Sequence, residues 1–202
     1  MPEKRDGPVI YAIYNTKLRS GKSLLLTYAM TQEYQAGKKL FANYRINYLP
    51  VTFLQAPDDM VRTFSAMREG RLTGYTSFFI DEMQKWLPCR KSSSYTNEII
   101  NTIVEDTGHF SCEFFFSTPH ERFVDIQLRT LIDYILVPNM NGDLVTVSVF
   151  NCRDFGGKAH LIRQYQFDGR QVYPFYNSVG VNSLVGRGEV TRFPAKEKDE
   201  DE

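Results

Sequence analysis

A chain of 202 residues with 24 basic and 24 acidic side chains can bury the core of one α/β domain. Its charge is too even for net charge alone to recruit nucleic acid or a membrane surface. Its three cysteines, Cys89, Cys112 and Cys152, lack metal-site or disulfide-framework spacing and read as isolated thiols of a reducing compartment. No apolar run reaches the roughly 20 residues that span a bilayer, and the start MPEKRDG does not read as a signal peptide, so a cytoplasmic chain is expected.

The first predicted element is an apolar, β-branched strand, Val9 to Ile13, after Pro8. A polar turn follows, and Ser20-Gly21-Lys22-Ser23 opens a helical pattern that runs to Gln35. Strand, loop, Gly-Lys-Ser and helix is the order of a phosphate-binding P-loop. In such a loop the backbone N–H groups and the helix N-terminus face the anion. Lys22 sets a cation beside the β- and γ-phosphates, and Ser23 offers a hydroxyl to Mg²⁺. The expected nucleotide-binding stretch is Asn15, Thr16, Lys17, Leu18, Arg19, Ser20, Gly21, Lys22, Ser23 and Leu24. One position departs from the Walker A pattern: Thr16 stands where its first glycine belongs. Two explanations are open. Asn15 and Thr16 make the turn with a less usual backbone, or the Thr16 hydroxyl adds a contact that glycine lacks.

The helix is expected to bury Leu24, Leu25, Tyr28 and Met30, and Gly37 with the lysines around it ends it. Leu40 to Ile46 reads as a second strand broken at Tyr48-Leu49-Pro50, and Asp58 to Glu69 as a helix closed by Gly70. Ser77-Phe78-Phe79-Ile80 is a short apolar strand ending in Asp81 and Glu82. Carboxylates at the C-terminal end of a buried parallel strand, downstream of a P-loop, match Walker B. Asp81 then serves the metal, and Glu82 polarises the attacking water.

Met83 to Leu87 starts a helix that Pro88 interrupts, and Asn97 to Val104 is helical again. Between them Arg90 and Lys91 lie in a serine-rich loop. They either contact DNA phosphates or a neighbour's nucleotide, or are simply solvated. Ser111 to Phe116 is a third strong strand running into Ser117-Thr118-Pro119-His120. Thr118 or Ser117 is a candidate sensor of the γ-phosphate, against the alternative of a turn that caps the next helix. His109 and His120 lack metal-ligand spacing. Val124 to Asp133 is amphipathic, and its Arg129 either reaches a phosphate across a subunit interface or pairs with Asp125. After the apolar run Ile135 to Pro138 the period becomes alternating. Leu144 to Phe150 and His160 to Phe167 read as strands joined through Gly156-Gly157, with Gln171 to Tyr176 as a last short strand. The tail KEKDEDE reads as disordered, and no internal repeat is present.

The series YNTKLRSGKS, FFIDE, FFFSTPH, VDIQLRTLIDY and PFYNS resembles the zonula occludens toxin-like ATPases of filamentous phages. It is also similar to FtsK/HerA-type and terminase-like viral ATPases that move DNA. The departures are Thr16, Pro119 where the family commonly has a glutamine, and the lack of a membrane segment. The resemblance implies a P-loop NTPase three-layer α/β sandwich with a mainly parallel central sheet and a C-terminal antiparallel extension. It implies a Walker B strand not adjacent to the P-loop strand. It also implies ATP and Mg²⁺ as cofactors, with Glu82, Lys22, Thr118 and Arg129 as catalytic candidates and Ser23 and Asp81 at the metal. Double-stranded DNA is the implied partner, and a homo-oligomeric ring the implied assembly. One domain is expected over residues 1–180, with a C-terminal segment over 181–202. Viral genome packaging or virion assembly is the implied process. A nucleotide kinase and a non-hydrolysing assembly protein with a degenerate P-loop are the alternatives.

Overall fold

The computed structural model describes residues 9–17, 19–87, 112–152 and 159–176. The expectations for Leu18, Arg90, Lys91, His109, the helix 97–104, the Gly156-Gly157 turn, the domain boundary near 180 and the tail lie outside the described residues. Eight strands form one sheet: β1 (Val9–Tyr14), β2 (Lys39–Ala42), β3 (Val51–Phe53), β4 (Thr76–Ile80), β5 (Cys112–Thr118), β6 (Tyr134–Asn141), β7 (Leu144–Asn151) and β8 (His160–Asp168). Their spatial order is β3-β2-β4-β5-β1-β6-β7-β8. The pairs from β3 to β6 are parallel, and β7 and β8 add antiparallel strands at the end. The Walker B strand β4 is therefore separated from the P-loop strand β1 by β5, as expected.

The apolar runs are continuous because these strands are covered on both faces; every residue of β4 is buried. On one face lies α1 (Lys22–Gln35), which buries Leu24, Leu25, Leu26 and Met30. Beneath it Phe79, Phe115, Tyr11 and Tyr134 stack in a row across β4, β5, β1 and β6, with centroids 4.9, 4.4 and 5.4 Å apart. On the other face α2 (Pro57–Arg68) buries Met60, Phe64 and Met67, and Phe64 stacks on Phe78 at 4.9 Å. The short helices α3 (Met83–Trp86) and α4 (Ile126–Thr130) extend that layer through Met83 and Leu128. Helix, sheet and helix make the expected three layers. None of the described helices is long and apolar enough to cross a membrane.

Four local expectations need correction. First, β2 stops at Ala42 because the Asn43 side chain leaves the sheet for the Asp81 backbone. Its Nδ2 donates to the Asp81 carbonyl at 2.8 Å, and its Oδ1 accepts the Asp81 N–H at 2.7 Å. Second, the amphipathic run at Val124 is not one helix. Val124 is extended, Asp125 caps α4 by accepting from Gln127 N–H at 2.8 Å, and only Ile126–Thr130 is helical. Third, Val51–Phe53, in the stretch between the second strand and the next helix where no element is expected, is a parallel edge strand. Fourth, Gln171 to Tyr176 is a run of turns, not a strand. The Gly169 carbonyl accepts from Val172 and Tyr173, and the Val172 carbonyl from Phe175 and Tyr176. Pro174 has no N–H for a ladder.

Candidate functional site

The P-loop, Asp81 and Ser117 lie at strand ends on one edge of the sheet. β1, β4 and β5 are parallel, so the loop after Tyr14, Asp81 after β4 and Ser117 near the end of β5 meet at their carboxyl ends. The P-loop turns without a glycine at its start. Asn15 Oδ1 accepts the Lys17 N–H at 2.9 Å, an Asx turn, and Asn15 Nδ2 donates to the Pro138 carbonyl of β6 at 2.6 Å. Thr16 is exposed and is not among the residues with left-handed backbone, so its position makes no demand for glycine. That conformation falls instead on Arg19 at φ 56° and Gly21 at φ 90°. Gly21, the residue before α1, meets the steric requirement that only glycine satisfies freely.

Lys22 curls back over its own loop. Its ammonium donates to the Asn15 carbonyl at 2.9 Å, the Lys17 carbonyl at 3.3 Å and Ser20 Oγ at 3.4 Å. Burial pulls its pKa below the ordinary lysine value, against the opposing pull of Asp81 and Glu82. Ser23 Oγ donates to Asp81 Oδ2 at 2.8 Å, joining the first turn of α1 to the end of β4. Ser117 Oγ donates to the other carboxylate oxygen of Asp81 and accepts the Glu82 N–H at 3.1 Å. Burial raises the Asp81 pKa, while the hydroxyls of Ser117 and Ser23 work the other way.

Strand alternation sets the two sensor candidates on opposite faces of β5. Ser117 lies on the α1 side of β5 and reaches Asp81. Thr118 is fully buried on the opposite side, where its hydroxyl donates to the His120 carbonyl at 3.3 Å. Glu82 adopts φ 53°, a strained choice for a side chain of its size, directly after Asp81. Its carboxylate is half exposed and ion-paired with Lys85 one turn on. Arg129 is not brought to this cluster. It is half-buried near Tyr14 with its Nε lacking a hydrogen-bond partner, and the expected pair with Asp125 is not made, since that carboxylate caps α4.

Ser23 and Asp81 together offer one hydroxyl and one carboxylate, both hard oxygen donors. The described residues hold no group of three or more His, Cys, Asp or Glu able to cage an ion. That donor set fits Mg²⁺, which keeps several waters and takes few protein ligands beside phosphate. Beside it opens a cleft of about 720 Å³, lined by the P-loop and by Met140, Tyr173 and Tyr176. Sequence reasoning misses the last three. The run that holds the two tyrosines, Gln171 to Tyr176, reads as a strand, and nothing in Met140's own segment marks it as facing a loop more than a hundred residues upstream.

No protein-family model matches the chain, and no curated protein matches it. Solved structures do. The N-terminal domain of zonular occludens toxin from Neisseria meningitidis superposes with a TM-score of 0.59 at 19% identity, over 85% of this chain and 100% of that one. A second solved ATPase domain gives 0.57 at 10% identity, over 86% and 85%. The genome packaging NTPase B204 from Sulfolobus turreted icosahedral virus 2, in complex with AMPPCP, gives 0.51 at 11% identity, over 79% and 98%. Two of the three carry the names of an ATPase domain and an NTPase, and the chain has the P-loop NTPase fold that its motifs predict.

Proposed function

We propose that this chain is an Mg²⁺-dependent ATPase whose cycle moves double-stranded DNA, in viral genome packaging or virion assembly. The observation that supports it most is the Ser23–Asp81 hydrogen bond beside the Lys22 ammonium. It joins two sequence-distant motifs at one strand edge. The Lys22 ammonium, resting on three weak neutral acceptors, exchanges them for β- and γ-phosphate oxygens when nucleotide enters. Ser23 and Asp81 would hold Mg²⁺, which when bound would neutralise phosphate charge. Ser117 fixes the Asp81 carboxylate and the Glu82 backbone. Glu82 takes a proton from the attacking water as ATP gives ADP and phosphate, for which its carboxylate first leaves Lys85. In an assembled ring Arg129 is the candidate to reach a neighbour's phosphate. DNA as the cargo draws on the fold shared with a genome packaging NTPase, since 24 basic residues against 24 acidic leave no basic footprint.

ATP turnover with and without linear duplex DNA tests this. Turnover is expected only with Mg²⁺, to rise with DNA, and to fall about 100-fold or more in Glu82→Gln. Unchanged turnover in that variant removes Glu82 as the base. Turnover indifferent to DNA leaves an ATPase and removes the motor.

A further inference from the structure

The cleft beside the P-loop is larger than a triphosphate needs, and its far wall carries no charged group to pair with a phosphate. Its volume of about 720 Å³ falls in the range of pockets that enclose whole small molecules. The floor is Ser20 to Ser23; the wall opposite is Met140 from β6 and two tyrosines from the turns after β8.

That wall is built, not incidental. Gly169 sits so close to α1 that a Cβ there would meet Leu24 Cδ2 at 2.9 Å and the Asp143 carbonyl at 3.0 Å. Its N–H donates to that carbonyl at 2.7 Å, which locks the turns onto the β6–β7 hairpin. The Tyr173 hydroxyl donates to Asp143 Oδ1 at 2.8 Å, so the ring is held at its far end while the side chain stays 41% exposed. Asn47 N–H donates to the Phe175 carbonyl at 3.0 Å from the opposite side. Tyr176 packs edge-on against Tyr44, with centroids 5.8 Å apart. It lines the cleft together with Ser23, whose hydroxyl is engaged with Asp81.

From this geometry we infer that Tyr173, Tyr176 and Met140 form the nucleoside subsite of the phosphate site, with Tyr173 as the platform on which the base stacks. The inference rests on the nucleotide reading above and deepens it. A tyrosine whose hydroxyl is already committed presents a π-face and no spare polar group. Stacking of that kind accepts any base, because each has a π-face. The wall therefore separates nucleotides from bare polyphosphates and discriminates weakly between purines. Tyr176 and Ser23 line the same cleft, so the wall and the proposed metal-site hydroxyl face one space.

Calorimetric binding of a non-hydrolysable ATP analogue, the matching GTP analogue and inorganic tripolyphosphate, each with Mg²⁺, tests this on the full chain. Tyr173→Ala should weaken the ATP analogue about tenfold, the low end of a base–aromatic stack, and leave tripolyphosphate unchanged. Tyr173→Phe keeps the ring, should bind the ATP analogue about as wild type does, and controls for loss of the Asp143 bond. The two purine analogues should bind alike. Equal loss of analogue and tripolyphosphate in Tyr173→Ala, or loss of neither, overturns the subsite while the phosphate site stands. If wild type binds tripolyphosphate as tightly as the ATP analogue, the subsite also falls. If wild type binds neither, the nucleotide reading itself fails, and the subsite with it.

Discussion

The same sheet carries a lysine among carboxylates at each of its two edges, and the two edges use them in opposite ways. At the amino edge, on the α1 side, Lys38 is ion-paired with Glu33 and bonds Glu113 at 2.9 Å, and Ser77 donates to Glu33 at 3.0 Å. Every charge there has a charged partner. At the carboxyl edge, among the described residues, Lys22 donates only to carbonyls and a hydroxyl, and Asp81 receives only the hydroxyls of Ser23 and Ser117 and a backbone N–H. A buried charge left with neutral partners is costly, and the cost is recovered only when something of opposite charge arrives. The closed cluster ties α1 to the sheet. The open one waits for a ligand.

The largest expected difference between the edges comes from removing each lysine. Lys22→Ala should cut turnover by about 10²–10³-fold, the scale of a lost electrostatic stabiliser of the transition state. It should not destabilise the fold, because burial already disfavours that ammonium. Lys38→Met should do the reverse. It strands two carboxylates, so unfolding free energy should drop by about 2 kcal/mol, below the 3–5 kcal/mol of a fully buried pair because these side chains keep some solvent. Nucleotide affinity at the far edge should stay within about twofold. Denaturant titration and calorimetry on both variants measure the contrast, and a destabilised Lys22→Ala would erase it.

The pH dependence of the Lys38→Met loss follows from Glu113. Burial and the nearby Glu33 raise the Glu113 pKa, and Lys38 restrains the rise. A carboxyl that holds its proton more tightly folded than unfolded stabilises the protein below its ordinary value of 4.5 and loses that stability as pH climbs through the raised value. Without Lys38 the rise is larger and the loss deeper. The stability gap between wild type and Lys38→Met should therefore be smallest near pH 4.5 and widen toward neutral. A gap that narrows instead would mean that Lys38 does not restrain Glu113.

How much of this is readable in the chain follows from which contacts are local. β1, β4 and β5 are legible because continuous Ile and Phe runs demand burial on both faces. α1 is legible because the Ser20-Gly21-Lys22-Ser23 turn precedes a long run of helix-forming residues free of Gly and Pro. The P-loop, Asp81 and Ser117 fall into place because strand ends in a parallel sheet share an edge. Asn43 is not legible, since its side chain is defined by Asp81, 38 residues away. The tyrosine wall is misread because alternating aromatics mimic a strand, whereas Pro174 and the Gly169 carbonyl fold them into turns. Choosing between Thr118 and Ser117 needs the pairing register, which sets which neighbour faces α1.

That last choice gives a smaller test at the open edge. Ser117→Ala strips a donor from Asp81 and an acceptor from the Glu82 N–H, and should lower turnover by about tenfold, with about 1–2 kcal/mol lost in stability. Thr118→Val removes a hydroxyl whose bond to the His120 carbonyl spans 3.3 Å, and should leave turnover near wild type. The reverse order of effects would move the sensing role back to Thr118.

The smallest expected effect concerns the residue that most departs from the Walker A pattern. If the loop needed a glycine at position 16, Thr16→Gly should raise turnover. Asn15, however, already makes the turn: its Oδ1 takes the Lys17 N–H, and its amide anchors the loop to Pro138 on β6. The backbone at Thr16 stays out of the left-handed region, so glycine's one steric advantage has no use there. Thr16→Gly should leave turnover within about twofold and cost roughly 0.5–1 kcal/mol of stability through a freer unfolded chain. Asn15→Ala removes both side-chain bonds and should cost about 1–2 kcal/mol and slow turnover, because the loosened turn no longer holds the Asn15 backbone carbonyl where it positions the Lys22 ammonium. A clear gain from Thr16→Gly would mean that the nucleotide-bound loop adopts another backbone at this position, and that the Asx turn belongs to the empty loop alone.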